Sequence, residues 1–197
     1  MTPYSIEVRT APDVSAWLAD LVEFFKQHVR YQEGDAEDTM LLQYLGTSID
    51  LFELHTAGRV VLATGFTQYS PTWACGWRNP MRLERAAVTE ISEVRYYDTA
   101  DEVQTLDAGD YGTDTTGIPA LVWHKGGGFP ALSSYRPRPV AVDFEAGWEA
   151  EAVPDSVKTG LFLLAAHFYE HRGDEDTGVD IPPPFLRLCN LWHTGLS

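Results

Sequence analysis

The sequence predicts an α+β fold in which helices form the core and a β-rich segment is inserted between them. Apolar residues recur at three- and four-residue steps over residues 13–58 and 153–173, which is typical of helices. Between these stretches, over residues 60–148, apolar and polar residues alternate and turn residues are frequent, which is typical of strands. Helices and strands are therefore segregated along the chain, and this favours α+β over α/β architecture.

Two helices are predicted in the N-terminal stretch. Asp13 or Ser15 can cap the first, whose apolar stripe is formed by Val14, Trp17, Leu18, Leu21, Val22, Phe25 and His28. The second covers about 39–55, and its apolar face is formed by Leu41, Leu42, Leu45, Ile49 and Phe52. Gly58 marks its end. Because a short connection joins them, we expect the two helices to pack as an antiparallel pair.

The β-rich segment contains several predicted strands. Alternation predicts strands at residues 60–67, 94–97, 103–106, 121–123 and 140–145, of which the second and third form a hairpin. The turn-rich loop over residues 70–80 carries Trp73 and Trp77. A tryptophan in a loop is buried either against its own subunit or in an interface, and the sequence leaves both open.

The helix predicted over residues 153–173 is apolar nearly all round. Pro154 suits a first helical position, and Asp155 suits the positive N-terminal end. A helix apolar on both sides is buried on more than one side, which predicts a central core helix or a contact with a neighbouring subunit. After a Pro-rich hinge, Pro184 starts a short final helix with Phe185, Leu188, Leu191 and Trp192 on one face. We expect a partner to bury Trp192.

Composition excludes several classes of protein. The 197 residues are 44% hydrophobic, enough for the core of a single domain. The net charge of −15 argues against a protein that reads DNA sequence. No apolar run is long enough to span a membrane, and the N-terminus lacks a secretory layout, so synthesis in a cytoplasm is expected. Cys75 and Cys189 are too few for a disulfide framework and are expected to be reduced.

One motif points to an enzyme. Residues 167–171 read His-Phe-Tyr-Glu-His, and on a helix His167 and His171 could hold one zinc ion with Glu170 as general base. No third ligand is evident, and His171 equally suits a helix C-terminus. Lys125 precedes its glycines (126–128), the reverse of a phosphate loop. A zinc-dependent hydrolase and an acidic protein-binding module stay open as alternatives, while no catalytic residue, cofactor or metal is predicted.

Several segments together resemble the head–tail connector (adaptor, or head-completion) proteins of tailed phages and gene transfer agents. The resemblance runs over roughly residues 13–192, through Asp38–Val61, Val88–Asp98, Tyr111–Asp114, Val140–Trp148 and the apolar run LFLLAAHFYEHRG. The chain departs from the family at Ala87, where the turn before the first hairpin often has Pro, and in the loops at residues 75–80 and 126–130.

The resemblance implies a non-enzymatic virion protein of one adaptor domain, residues 1–197. Such proteins form a ring, usually of twelve copies, between the portal protein and the head-closure (stopper), tail-terminator or other tail components. Double-stranded DNA passes through the ring without sequence-specific binding. The tail over residues 182–197 would bind the portal through Phe185, Leu188, Leu191 and Trp192. The preceding helix would contact the neighbouring subunit through Phe162, Leu163, Ala166 and Tyr169.

Overall fold

The computed structural model describes residues 4–31, 37–73, 79–125, 130–172 and 180–195. Its strands are β1 (Ser5–Thr10), β2 (Thr64–Ser70), β3 (Met81–Arg82), β4 (Val88–Tyr97), β5 (Val103–Thr105), β6 (Tyr111–Asp114), β7 (Leu121–His124) and β8 (Val140–Ala146). Its α-helices are α1 (Val14–His28), α2 (Asp38–His55), α3 (Asp155–Glu170) and α4 (Pro183–Trp192), and a 3-10 turn lies at Ala150–Ala152. No helix in these ranges is long and apolar enough to cross a membrane.

The chain divides into two compact units. The β unit comprises Met1–Pro12 and Ala63–Gly147, and the helical unit comprises Asp13–Leu62 and Trp148–Gly195. All eight strands belong to the first unit and all four α-helices to the second. Strands and α-helices are therefore separated between the two units.

The predicted helical core with a β-rich insertion is wrong. The described residues instead form a β-rich body of eight strands in two antiparallel sheets, and a separate unit of four helices. The N-terminal strand β1 pairs with β2, so the large sheet is not built from a local insertion. Four of the six residues of β1 are exposed. The alternation in β1 is short, with only Ile6 and Val8 apolar, and its partner strand β2 lies far along the chain, so the sequence pattern alone did not indicate a strand here.

A long C-terminal apolar helix is also absent from the described residues. The segment 153–173 contributes only α3, which has 16 residues. One side of α3 is fully buried, through Val157, Leu161, Leu164 and Ala165. The opposite side is half-buried, and it includes Phe162, Leu163, Ala166 and Tyr169. The helix is apolar on all sides because one side packs in the core and the other side is partly buried.

The large sheet is organised around β8. Its strand order is β1-β2-β8-β4-β5, and all its neighbouring strands run antiparallel. Strand β8 pairs with β2 from Val140 to Ala146 without a shift, whereas its pairing with β4 contains two bulges. The predicted hairpin is present as β4 and β5. The small sheet has the order β3-β7-β6.

The two sheets enclose one apolar core. On the large sheet, the ring of Phe66 stacks on that of Phe144 at 5.6 Å between centroids. Val140 and Val142 of the large sheet and Val122 of the small sheet line the same cavity of about 20 Å³. A cavity of this size has room for only about one or two water molecules, so the facing side chains of the two sheets leave little empty space at this point.

One buried carboxylate lies within the large sheet. Asp143 on β8 is almost inaccessible to solvent, and its carboxylate accepts a hydrogen bond from Thr67 Oγ1 at 2.6 Å. Arg95 on β4 donates from Nε (3.0 Å) and Nη2 (2.7 Å) to Asp143 Oδ2. The hydrogen bond to Asp143 raises the pKa of Arg95. The guanidinium therefore compensates a charge that would otherwise be buried unpaired.

Two backbone positions restrict the residue type. Ala87 has φ of 65°, and its carbonyl accepts a hydrogen bond from Gly147 N–H at 3.0 Å. Proline, which often stands at the corresponding turn in the connector family, is fixed near φ of about −65° and cannot adopt this conformation. A Cβ at Gly112 would lie 2.6 Å from the indole of Trp123, its partner across β6 and β7. Only glycine lets that ring lie flat against the strand.

The helical unit has a separate apolar core. It contains buried side chains from all four helices and from the chain segments that flank them: Trp17, Leu18, Leu21, Val22, Phe25, Leu41, Leu45, Ile49, Phe52, Val61, Leu62, Val153, Val157, Leu161, Leu164, Ala165, Phe185 and Cys189. The stripes predicted on α1 and α2 supply about half of this set. Gly160 on α3 lies close to Leu188 of α4, since a Cβ there would be 3.5 Å from Leu188 Cδ1. The small residue thus allows α4 to pack closely on α3.

We expect Arg95→Met to lower the free energy of unfolding by about 3 kcal/mol, because it leaves the Asp143 carboxylate buried without its cation. Urea unfolding followed by circular dichroism measures this loss. Arg136→Met is the matched control, since Arg136 forms a comparable ion pair with Asp101 at 2.8 Å on the surface, and it should have a much smaller effect. Equal losses in the two variants would contradict the assigned role of Arg95.

Candidate functional site

The final helix α4 is held in the helical unit by two buried side chains. Phe185 is fully buried, and its ring meets those of Phe52 (6.5 Å) and His55 (6.1 Å) edge-on. Cys189, one turn later, is only 1% exposed. Residues four apart lie on the same helix face, so this face of α4 is directed into the core. The hinge expected before α4 does not separate it from the helical unit.

An arginine between two indoles holds the C-terminal end of α4. Arg59 Cζ lies 5.5 Å from the ring centroid of Trp148 and 5.3 Å from that of Trp192. The two indoles meet edge-to-face at 5.3 Å, and Arg59 Nε donates to the Trp192 carbonyl at 2.9 Å. Burial lowers the pKa of Arg59. Cation–π contacts and a hydrogen bond to a helix C-terminal carbonyl act together here.

The residues after α4 are tied to the end of α2. Thr194 N–H donates to the Thr56 carbonyl at 3.2 Å, and Thr194 Oγ1 donates to the Ala57 carbonyl at 2.8 Å. Ala57 and Gly58 have φ of 57° and 83°, the left-handed conformation that ends a helix. The carbonyls left free by this turn are thus satisfied by the chain segment that follows α4.

Two large apolar side chains remain exposed next to these ties. Leu191 on the last turn of α4 is 74% exposed, and Leu54 on the last turn of α2 is 70% exposed. We call Leu191 and its sequence neighbour, the half-buried Trp192, the terminal surface. An exposed leucine directly followed by a tryptophan on a docked helix is a candidate contact for a partner, since tryptophan is enriched in interfaces.

The four residues predicted to bind the portal therefore occupy different positions. Phe185 lies in the core, Leu188 and Trp192 are half-buried, and only Leu191 is fully exposed. The helical face predicted from the sequence exists, but most of it packs on the chain's own helices. Leu191 and the edge of Trp192 are the parts that a partner can reach.

The residues predicted at the subunit interface lie on the half-buried side of α3. The ring of Phe162 contacts those of Phe25 (5.7 Å) and His28 (5.8 Å). The Tyr169 hydroxyl donates a hydrogen bond to Glu37 Oε2 at 3.1 Å. The pKa of Tyr169 is raised, mainly by burial and also by this hydrogen bond. Leu163 and Ala166 are half-buried as well.

A groove runs beside this side of α3, between α1 and α3. Its volume is about 340 Å³, and it is lined by Leu21, Phe24, Asp155, Lys158, Thr159 and Phe162. Phe24 is 62% exposed at the rim. The groove therefore carries apolar surface that is accessible from solvent.

The residues of the zinc-like motif form a helix end. His171 Nδ1 lies 2.9 Å from the His167 carbonyl, and since a carbonyl only accepts, Nδ1 carries the proton that is donated. The two imidazoles lie 4.3 Å apart between centroids, and Glu170 is exposed. Among the described residues, no group of three or more His, Cys, Asp or Glu side chains is placed to hold a metal ion.

The remaining sequence candidates are divided between the described and undescribed residues. The Trp73 indole donates to the Pro130 carbonyl at 2.9 Å, and its ring lies 5.3 Å from that of Tyr96, so this tryptophan packs within its own β unit. Cys75, Trp77 and the glycines at 126–128 lie outside the described residues. Arg59 and Trp148 were missed, because nothing in the sequence indicates that positions so far apart meet Trp192 at the end of α4.

Three solved structures are similar to this chain over nearly its full length. A chain of the neck of an empty GTA particle with C6 symmetry is 28% identical with a TM-score of 0.77, and 96% of this chain and 95% of that chain are covered. A chain of the virion of a native gene transfer agent (GTA) particle is 28% identical with a TM-score of 0.74 and the same coverage. A chain of the neck of a native GTA particle with C12 symmetry is 27% identical with a TM-score of 0.69, again with that coverage.

The sequence matches no protein-family model and no curated protein. The likeness to the three structures supports a structural protein of a particle neck, and the predicted virion localisation is confirmed by these neighbours. The C6 and C12 symmetry of the two necks indicates assembly as an oligomeric ring.

We expect the Cys189 thiol to be unreactive while α4 is docked. Burial raises the pKa of Cys189 to about 11, so the thiolate fraction near pH 8 falls roughly 100-fold below that of an ordinary thiol. In a Cys75→Ser background, iodoacetamide labelling followed by mass spectrometry should be slower by at least that factor in the folded than in the unfolded protein. Equal rates would show that α4 leaves the core readily.

Proposed function

We propose that this chain is a head–tail adaptor of a tailed phage or gene transfer agent. It forms a ring of twelve copies between the portal protein and the head-closure, tail-terminator or other tail components, and it has no catalytic role. The observation that carries this proposal is the likeness over 96% of the chain to chains of gene transfer agent necks. The earlier resemblance in sequence to connector proteins supports the same function.

The charge of the chain agrees with a conduit for DNA. Each copy carries a net charge of −15, and a ring multiplies this charge around its axis. A negative wall repels the phosphate backbone, so double-stranded DNA can pass without being held. Sequence-specific binding is therefore not part of the proposed function.

The terminal surface is the proposed portal contact. Leu191 and Trp192 would enter an apolar depression of the portal, while Phe185 and Leu188 hold α4 on the helical unit. Exposed apolar side chains on a rigid helix lose little conformational entropy on binding, which favours such a contact. Phe162, Leu163, Ala166 and Tyr169, on the half-buried side of α3, together with the adjacent groove, are proposed to meet a neighbouring subunit.

Electron microscopy of particles from the producing strain tests the assignment. We expect density for this chain in a closed ring of twelve copies at the portal vertex, and native mass spectrometry of isolated necks should give the same copy number. Particles lacking the chain should have filled heads without tails. Absence of the chain from purified particles, or its presence outside the neck, would contradict the proposal.

Leu191→Asp tests the portal contact. The side chain is exposed, so we expect the melting temperature to stay close to that of the wild type, while incorporation into particles is lost because a charge replaces the apolar contact. Asn190→Asp is the matched control, since it adds the same charge at the neighbouring exposed position, and it should be incorporated normally. Normal incorporation of Leu191→Asp would exclude this surface as the portal contact.

A further inference from the structure

Two unpaired strand edges lie in the large sheet. Strand β1 is at one end of the strand order and pairs only with β2. At the other end, β5 pairs with β4 only from Arg95 to Tyr97, and Leu106 N–H then donates to the Val94 carbonyl. In the described ranges, no strand pairs with the outer side of β1 or of β4 over Val88–Glu93. Such edges present free N–H and C=O groups to a further strand.

The direction and face of the two edges are compatible. Since neighbouring strands of the order β1-β2-β8-β4 are all antiparallel, β1 runs opposite to β4. A copy repeated by rotation would therefore bring its β1 antiparallel to β4 of the next copy. Phe66 is paired with Val8 and with Phe144, and Phe144 is paired with Ile91. Paired residues point to the same face, so Val8 and Ile91 share a face.

The side chains at the two edges are complementary. An antiparallel register that sets Val8 opposite Ile91 also sets Arg9 opposite Glu90. Val8 is 59% exposed, and a groove of about 440 Å³ beside Ile91, lined in part by Tyr111 and Trp123, can receive it. Neither Arg9 nor Glu90 forms an ion pair with a described residue, so both charges are available to a partner.

We propose that neighbouring copies of this chain join by strand addition. Strand β1 of one copy pairs antiparallel with residues 88–93 of β4 in the next copy, in the register that places Val8 in the groove and Arg9 against Glu90. The inference rests on the proposed ring. A contact between two different surfaces of one chain is heterologous and closes into a ring when the rotation allows it. Main-chain hydrogen bonds supply affinity, and the Val8 groove supplies specificity.

Disulfide trapping tests this contact in assembled particles. In the variant Val8→Cys with Ile91→Cys, mild oxidation of purified particles should produce covalent multimers of this chain on a denaturing gel, because directly opposed Cβ atoms lie within disulfide reach. Each single-cysteine variant should remain monomeric on that gel. Val8→Cys with Val103→Cys is the matched control, since Val103 is similarly exposed but lies on β5, and it should also remain monomeric.

A charge-reversal pair gives an independent test. Arg9→Glu should reduce ring incorporation because two carboxylates then face each other, and adding Glu90→Arg should restore it. Rings of wild-type copy number in particles that give no covalent multimers with Val8→Cys and Ile91→Cys would overturn the strand contact and leave the adaptor function intact. Particles in which the wild-type chain forms no ring would overturn both.

Discussion

The β unit depends on the position of β8 between β2 and β4. Without that strand, the pairs β1–β2 and β4–β5 would have no common partner, and neither pair alone could form a sheet with an apolar face. Along the same strand, Val140, Val142 and Phe144 point to the inner face, and the buried Asp143 alternates with them in the sequence. Arg95 from β4 and Thr67 from β2 donate hydrogen bonds to that carboxylate. These side-chain bonds therefore link β8 to the same two strands with which its backbone pairs. The last strand in the sequence thus joins two strands that lie much earlier in the chain.

In the helical unit, most of the amphipathic face of α4 is used for docking within the subunit. Phe185 and Cys189 fill the core, while Arg59 holds the last turn through two indoles and a carbonyl. The apolar surface that remains for a partner is small, but its orientation is fixed, because Leu191 lies on a helix that is held by its other contacts. The proposed adaptor role would draw on this property, since a contact surface that is ordered before assembly binds at a lower entropic cost.

Local patterns predicted the single elements better than their arrangement. The stripes on α1 and α2 and the alternation on β8 led to the right elements, because each carries a clear period. Strand β1 was missed because its period of two covers only two apolar residues, Ile6 and Val8, and its partner β2 lies far along the chain. Without β1, the β-rich body was mistaken for an insertion. The four apolar residues predicted on one face of α4 range from the fully buried Phe185 to the exposed Leu191. Which of them would meet the chain's own core depended on Arg59 and Trp148, whose positions the sequence does not reveal.

The two free edges of the large sheet have a further consequence for how a ring would grow. An arc of any length keeps one unsatisfied β1 at one end and one unsatisfied β4 at the other, so every intermediate can add the next copy. Closure is the only state with no end, and it makes the last contact intramolecular and correspondingly favourable. Free subunits would expose the same two edges in solution. Each subunit carries a net charge of −15, so the repulsion between subunits opposes ring growth before assembly begins. A template that fixes the curvature of the first arc would then determine where growth begins.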